Sequence, residues 1–165
     1  MKRKSSKGRV PKRKITHKKS VAKKPSRISR KHSRKQRSSH PLPHSLSHGL
    51  AATIEREVPF EWTIAAYDPR LPAIFSTPAM IGLMEIAAAM AIRPHLPEGF
   101  ISVGTRIEVD HLKAVPQGTM IQASARLAGN EDRFLMFEVE ALAGELLVGR
   151  GKVYRAIIDL ARFQK

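Results

Sequence analysis

A glutamate stands in the middle of an apolar, helix-forming segment, and this combination constrains the chain more than any other feature. Residues 77–92 read Thr-Pro-Ala-Met-Ile-Gly-Leu-Met-Glu-Ile-Ala-Ala-Ala-Met-Ala-Ile, so a helix here has no obvious wet face and is expected to be buried. An ionised carboxylate in such surroundings is costly unless it is paired or used. Because such carboxylates concentrate at functional sites, Glu85 is the first candidate for chemistry. The alternative is a buried acid that pairs with a structural arginine.

The positive charge of the chain is concentrated at its N-terminus. Residues 1–48 hold 18 Lys or Arg and no Asp or Glu, whereas the remaining 117 residues hold 12 basic and 14 acidic residues. The N-terminal segment therefore carries a charge of +18 and the rest of the chain −2, which together give the net charge of +16. Low hydrophobicity with high net charge predicts a disordered basic tail over residues 1–48 and a folded domain over residues 49–165.

Three roles remain open for this tail. It is a solvated extension without a selected role, a contact for nucleic acid or another polyanion, or an organellar targeting segment. Polyanion contact would run through phosphates and weaken with salt. The tail has no aromatic residue, so base stacking is not expected. Its five irregularly spaced histidines do not predict a metal site.

The composition excludes several classes of protein. The chain has no cysteine, which removes disulfides, thiolate zinc sites and thiol catalysis. The longest apolar stretch, residues 78–92, is short of the roughly 20 residues that a membrane span needs, and Glu85 interrupts it. No apolar secretion signal is found at the N-terminus. We therefore expect a soluble, cytoplasmic protein.

The domain pattern is one helix and five strands. Strands are expected at residues 51–59, 100–113, 119–127, 134–141 and 146–160, because polar and apolar residues alternate there. The helix is expected to begin with Thr77 as its N-cap and Pro78 as its first residue, and to end by Arg93 because Pro94 follows. Short turns between the last strands imply antiparallel neighbours. The fold class is therefore α+β, an antiparallel sheet on a single helix.

One sheet cannot cover every side of so apolar a helix. We therefore expect a homodimer that buries the rest of the helix, with the functional site at the subunit junction.

Four segments of the domain resemble a known family. They are residues 71–85, residues 102–112, residues 114–118, and residues 149–155 with their Gly-x-Gly and Arg. They resemble the hot-dog-fold thioesterases of the fluoroacetyl-CoA thioesterase-like family, in order and over essentially all of residues 49–165. The resemblance implies a dimeric hot-dog fold, in which a five-stranded antiparallel sheet wraps around one central helix.

The resemblance also implies roles for five residues. The catalytic group of the family falls on Thr77, Glu85 and His111, the glycine beside the thioester on Gly104, and an arginine near the site on Arg155. Taken alone, Thr77 is a helix cap, His111 a core histidine, and Gly104 a β-bulge or a point of close ligand approach. Arg155 either binds a CoA phosphate or pairs with a carboxylate.

Two positions depart from the family pattern. Many members carry Thr-His where this chain has Lys152-Val153, and the fluoroacetate-specialised enzyme has a gating phenylalanine where this chain has Leu71. The sequence therefore predicts general hydrolysis of a small acyl-CoA thioester rather than fluoroacetyl selectivity. No metal or other cofactor is expected, because a thioester is already activated. The alternative is a non-catalytic acyl-CoA-binding protein, tethered to nucleic acid or another polyanion by its tail.

Overall fold

One helix and five strands form the part of the chain that the computed structural model describes, which is Leu46 and residues 49–162. The main elements are β1 (Ala51–Glu57), α1 (Thr77–Ile92), β2 (Phe100–His111), β3 (Met120–Glu131), β4 (Phe134–Ala143) and β5 (Leu146–Asp159). Short 3₁₀ turns occupy Phe60–Trp62, Ile64–Ala66, Arg93–His95 and Leu160–Arg162. The predicted disorder of the tail concerns residues that lie outside this described part, apart from Leu46.

The five strands form a single antiparallel sheet with the order β1-β3-β4-β5-β2. The two predicted hairpins make β3, β4 and β5 neighbours in sequence order. The strands on either side of the helix, β1 and β2, pair with β3 and β5 and become the two edges of the sheet. The predicted α+β architecture, a five-stranded antiparallel sheet with one helix, is confirmed.

The core lies between α1 and the inner face of the sheet. The alternation in β3 and β4 turns their apolar residues inward and their polar residues outward. The helix buries seven side chains: Met80, Leu83, Met84, Ala87, Ala88, Ala91 and Ile92. The sheet contributes Ile121, Ala123, Ala125, Leu127, Leu135, Phe137 and Val139, all at most 2% exposed. Burying one of the larger of these side chains contributes roughly 1.5–3 kcal/mol.

The opposite side of α1 is not covered by the sheet. Ile86 is 49% exposed and Met90 is 47% exposed, one turn apart on the same helix face. The expectation that one sheet cannot cover the whole helix is therefore correct. Burial of the exposed side by a second subunit stays a prediction.

Two element boundaries differ from the sequence prediction. The N-cap of α1 is Ser76 and not Thr77, since the Ser76 hydroxyl accepts a hydrogen bond from the Ala79 amide at 3.4 Å. Strand β3 continues to Glu131, through the residues that were expected to form its turn. A β-bulge between Leu127 and Gly129 allows pairing with β4 to resume beyond it.

Leu46 belongs to the core although it was predicted to lie in the tail. It is 7% exposed and packs in the core cluster, and its carbonyl accepts a hydrogen bond from Asn130 at 3.2 Å. The packed part of the domain thus includes a residue on the N-terminal side of Gly49.

The Gly149-Arg150-Gly151 motif has a packing role. A Cβ atom on Gly151 would lie 2.7 Å from Val109 Cα in β2, and one on Gly149 would lie 2.9 Å from the Asp110 carbonyl oxygen. Main-chain atoms cannot yield as a flexible side chain can, so these glycines permit the close pairing of β2 with β5.

No helix within the described residues is both long enough and apolar enough to cross a lipid bilayer.

Candidate active site

Thr77 and His111 form a hydrogen-bonded pair at the N-terminal end of the helix. Thr77 is the first residue of α1 and His111 the last residue of β2. The Thr77 Oγ1 and His111 Nδ1 atoms lie 2.8 Å apart. Because Ser76 caps the helix, the Thr77 hydroxyl is free to make this contact. We call Thr77 and His111 the threonine–histidine pair.

The second ring nitrogen of His111 is available for another partner. His111 Nε2 is buried and has no hydrogen-bond partner among the described residues. The ring of Phe75 packs edge-on against the imidazole, with centroids 6.3 Å apart and planes at 74°. Buried polar atoms are normally satisfied, so Nε2 is suited to contact a ligand.

Glu85 and Arg155 form an ion pair two helical turns further along α1. The Arg155 Nη1 atom donates to Glu85 Oε1 at 3.1 Å and to the Glu85 carbonyl oxygen at 3.2 Å. The side chain of Arg155 is 7% exposed, whereas that of Glu85 is 30% exposed. Arg155 thus holds one carboxylate oxygen while part of the side chain stays accessible. Of the two roles left open for Arg155, the geometry favours pairing with the carboxylate.

The guanidinium provides a fixed positive charge next to Glu85. Burial lowers the pKa of Arg155, and the neighbouring Glu85 carboxylate opposes this by raising the pKa. An arginine nonetheless stays protonated at any physiological pH. The buried charge is therefore permanent, and it contacts the Glu85 carboxylate directly.

Gly104 lies directly against the Glu85 carboxyl group. A Cβ atom at this position would be 2.8 Å from Glu85 Oε2 and 2.9 Å from Glu85 Cδ, and closer still to Oε1. The register between β2 and β5 also shifts between Gly104 and Arg106. The β-bulge interpretation of Gly104 is therefore confirmed, since the bulge follows this residue. Close approach of a ligand stays a prediction, because the chemical group that packs against Gly104 belongs to the chain itself. The approaching group is Glu85. We call Glu85, Gly104, Arg155 and Ser102 the glutamate cluster.

Ser102 is the member of this cluster that the sequence analysis missed. Its hydroxyl accepts a hydrogen bond from Arg155 Nε at 3.0 Å, and its carbonyl oxygen accepts one from Arg155 Nη2 at 2.8 Å. The sequence could have indicated Ser102, because residues two apart in a strand point to the same face and Gly104 was already a candidate.

The threonine–histidine pair and the glutamate cluster do not meet within one chain. Gly104 and His111 are seven residues apart along β2, which is about 23 Å at the usual rise of a strand. Thr77 and Glu85 are eight residues apart along α1, which is about 12 Å. No hydrogen bond joins Glu85 to Thr77 or His111, all of which the structure describes.

Replacing Gly104 with alanine is expected to displace the Glu85 carboxylate. The new methyl group would occupy the space of that carboxylate, which Arg155 holds in place. For the hydrolysis that the family resemblance implies, we expect at least a tenfold loss of kcat with a small change in melting temperature, measured by steady-state kinetics and thermal unfolding. Gly129→Ala is the matched control, because a Cβ there meets only the flexible Met136 side chain at ordinary distance, 3.5 Å. Equal activity of the two variants would contradict the close packing of Glu85 on Gly104.

No group of three or more His, Cys, Asp or Glu residues in the described part of the chain is arranged to hold a metal ion.

The fold and the site define a class of protein. A five-stranded antiparallel sheet around one helix is the hot-dog fold, which this chain shares with solved thioesterases. The sequence profile of the family described as "FlK: Fluoroacetyl-CoA-specific thioesterase" matches residues 46–161. The chain belongs to this family.

Individual relatives agree with this assignment. The fluoroacetyl-CoA thioesterase of Streptantibioticus cattleyicolor is 40% identical over 92 residues, which are 56% of this chain and 66% of that protein. The match therefore spans just under two thirds of the length of that relative. A mutant of the fluoroacetyl-CoA thioesterase FlK, solved in complex with acetyl-CoA, is 34% identical with a TM-score of 0.68, covering 72% of this chain and 93% of that chain.

A more distant structure shares the fold. A hypothetical protein of Thermus thermophilus, a thioesterase superfamily member, is 27% identical with a TM-score of 0.67, covering 73% of this chain and 90% of that chain. The predicted family and the predicted hot-dog fold are confirmed. The family is one of thioesterases, which is the class of enzyme predicted from the sequence.

Proposed function

We propose that this protein hydrolyses a small acyl-CoA thioester to the free acid and CoA. The observation that carries the proposal is the Glu85 carboxylate, which Arg155 holds against the backbone of Gly104 while 30% of its side chain stays exposed. The family supports the proposal, since a relative of 40% identity is a fluoroacetyl-CoA thioesterase and a solved relative carries acetyl-CoA.

The proposed enzyme is a homodimer that pairs through the β2 edge. This edge is 12 residues long and carries the exposed Ile107, at 42%. An unpaired edge of this length readily accepts another strand. The uncovered helix face, with Ile86 and Met90, supplies further apolar surface for a partner. The other edge, β1, has only seven residues, and short edge strands offer less backbone for pairing.

A two-fold axis near the middle of β2 unites the two halves of the site. If two copies pair in antiparallel fashion about a point between Ile107 and Glu108, Gly104 of one copy lies opposite His111 of the other. The glutamate cluster of each subunit then faces the threonine–histidine pair of its neighbour. An isologous interface repeats this contact twice, so the dimer contains two composite sites.

Each group has a task that suits its chemistry. The Glu85 carboxylate either attacks the thioester carbonyl to give a mixed anhydride, or accepts a proton from the attacking water. In the first route the thiolate of CoA leaves as the anhydride forms, and water then hydrolyses the anhydride, which releases the acid and restores the Glu85 carboxylate. In the second route water adds to the thioester carbonyl, and the thiolate leaves with the proton that Glu85 accepted. His111, held by Thr77 through Nδ1, presents Nε2 to the reacting acyl group or to Glu85. The Thr77 hydroxyl orients the imidazole, and we do not assign it as the nucleophile.

A cleft beside the glutamate cluster offers room for substrate. It has a volume of about 520 Å³ and lies between the end of α1 and the start of β2. Its walls include Ala89, Phe100 and Ile101, and Ser102 connects it to Arg155. A mostly apolar cleft next to a polar group is typical of small-molecule sites.

A panel of acyl-CoA substrates tests the function directly. We expect the wild-type protein to release CoA from acetyl-CoA and other short acyl-CoA thioesters, measured as free thiol over time. Since Leu71 replaces the gating phenylalanine, we expect fluoroacetyl-CoA and acetyl-CoA to differ by less than about tenfold in kcat/KM. A protein that binds CoA thioesters and hydrolyses none of them would contradict the proposal.

Several expectations remain predictions. The role of the basic tail, including polyanion contact, concerns residues outside the described part of the chain, and the cytoplasmic location is likewise untested. The alternative of a non-catalytic acyl-CoA-binding protein finds no support in the relatives, which are thioesterases.

A further inference from the structure

Ser102 has no role in the chemistry described so far, yet it is hydrogen-bonded to Arg155, which in turn contacts the Glu85 carboxylate. Its hydroxyl and its carbonyl oxygen accept hydrogen bonds from Arg155 Nε and Nη2, at 3.0 and 2.8 Å. These two bonds engage one edge of the planar guanidinium. The remaining nitrogen, Nη1, contacts Glu85 through its carbonyl oxygen and through Oε1.

The guanidinium is thus a rigid bridge between β2 and α1. The guanidinium is planar and rigid, so hydrogen bonds that fix Nε and Nη2 also fix the position of Nη1. Ser102 supplies both acceptors on the strand side, and Glu85 supplies both acceptors on the helix side. The direction of the Nη1 bond to the carboxylate therefore depends on the two hydrogen bonds that Arg155 donates to Ser102.

We propose that Ser102 is a positioning residue for catalysis, which acts through Arg155 to set the orientation of the Glu85 carboxylate. This inference rests on the proposed thioesterase function and adds a residue to it. Without the hydroxyl, the carbonyl oxygen of residue 102 still accepts from Nη2, but Nε loses its partner. The guanidinium then keeps its Nη2 bond to the carbonyl of residue 102 and its Nη1 bonds to Glu85, but its orientation on the strand side rests on one acceptor instead of two. Oε1 of Glu85 consequently samples orientations away from the reacting carbonyl.

Threonine and valine at position 102 form a matched pair for testing this role. Both are β-branched, favoured in strands and nearly equal in shape, and they differ in having a hydroxyl or a methyl group. Ser102 is partly exposed, which leaves space for the extra methyl that both variants carry. Any cost of the added volume is therefore common to the two variants.

We expect Ser102→Thr to keep kcat within about twofold of wild type and Ser102→Val to lower kcat about tenfold, on the scale of a lost hydrogen bond to a charged group. KM of the two variants should agree within twofold, because both present the same shape to the cleft that Ser102 lines. Thermal unfolding of the two variants shows whether both fold. Equal kcat of the threonine and valine variants would overturn the proposal, as would a loss confined to KM.

A double-mutant cycle with Arg155 tests the route of the effect. If Ser102 acts through Arg155, the valine substitution should lower kcat less than twofold further in an Arg155→Met background. An undiminished tenfold effect in that background would show that Ser102 acts by another route, which overturns the proposal. The wild-type enzyme separates the two inferences: hydrolysis by wild type with no threonine–valine difference refutes the role of Ser102 alone, whereas no hydrolysis refutes both.

Discussion

Glu85→Gln is expected to abolish nearly all thioester hydrolysis. Glutamine keeps the shape of the side chain and an oxygen that can still accept from Arg155, but it can neither attack a carbonyl nor take a proton from water. Loss of a nucleophile or general base of this kind costs about 1,000-fold in kcat. The measurement is steady-state release of CoA from the best substrate of the panel, together with thermal unfolding to show that the variant is folded.

The control for this substitution is Glu138→Gln. Glu138 lies on β4 with a side chain that is 49% exposed, and it pairs with Arg126. Its removal tests whether the loss of any carboxylate reduces activity, and we expect kcat within about twofold of wild type because exposed ion pairs contribute little. Undiminished turnover by Glu85→Gln would remove Glu85 from the mechanism. It would also leave the alternative that Glu85 serves only as a structural partner of Arg155.

Mixing two inactive variants is expected to restore activity. If each site combines Glu85 of one subunit with His111 of the other, a heterodimer of Glu85→Gln and His111→Ala contains one intact site and one doubly altered site. Random exchange of equal amounts makes half of the dimers mixed, so about one quarter of wild-type activity should return. The two variants are denatured together and refolded together, and their hydrolysis is compared with that of each variant refolded alone.

The matched control for this experiment uses two residues of the same half-site. Thr77 and His111 are in contact within one chain, so a mixture of Thr77→Ala and His111→Ala contains no wild-type site in any dimer. We expect no recovery from that mixture. Recovery in the control, or none in the first mixture despite demonstrated exchange of subunits, would contradict the composite site.

The fold could be predicted because its information is local. Alternation of polar and apolar residues fixes which face of a strand is buried, and in β3 and β4 the apolar face, with Ile121 and Phe137, lies in the core. The start of the helix was harder to predict, because two neighbouring residues can each serve as the N-cap. Ser76 and Thr77 both carry a hydroxyl suited to capping a helix, and only the packing of the chain ahead of α1 selects Ser76.

The sequence indicated which residues form the site more readily than how they are arranged in space. Glu85 was conspicuous because it interrupts an apolar helix. Its partner Arg155 lies seventy residues away, and the contact depends on the order of the strands and on a bulge after Gly104. The distance between Glu85 and His111 along a single chain was not evident from sequence either, since it follows from both residues lying beside one long edge strand.

The glycines at positions 149 and 151 set the distance between β2 and β5, the two strands that carry most of the active-site residues. They let β2 settle against β5 at main-chain contact distance, and β2 carries Gly104 near its middle and His111 as its last residue. Any side chain introduced at either glycine would lift this strand and shift His111 together with Gly104, the residue against which Glu85 packs. A sequence signature without chemistry of its own thereby sets the alignment on which the chemistry depends.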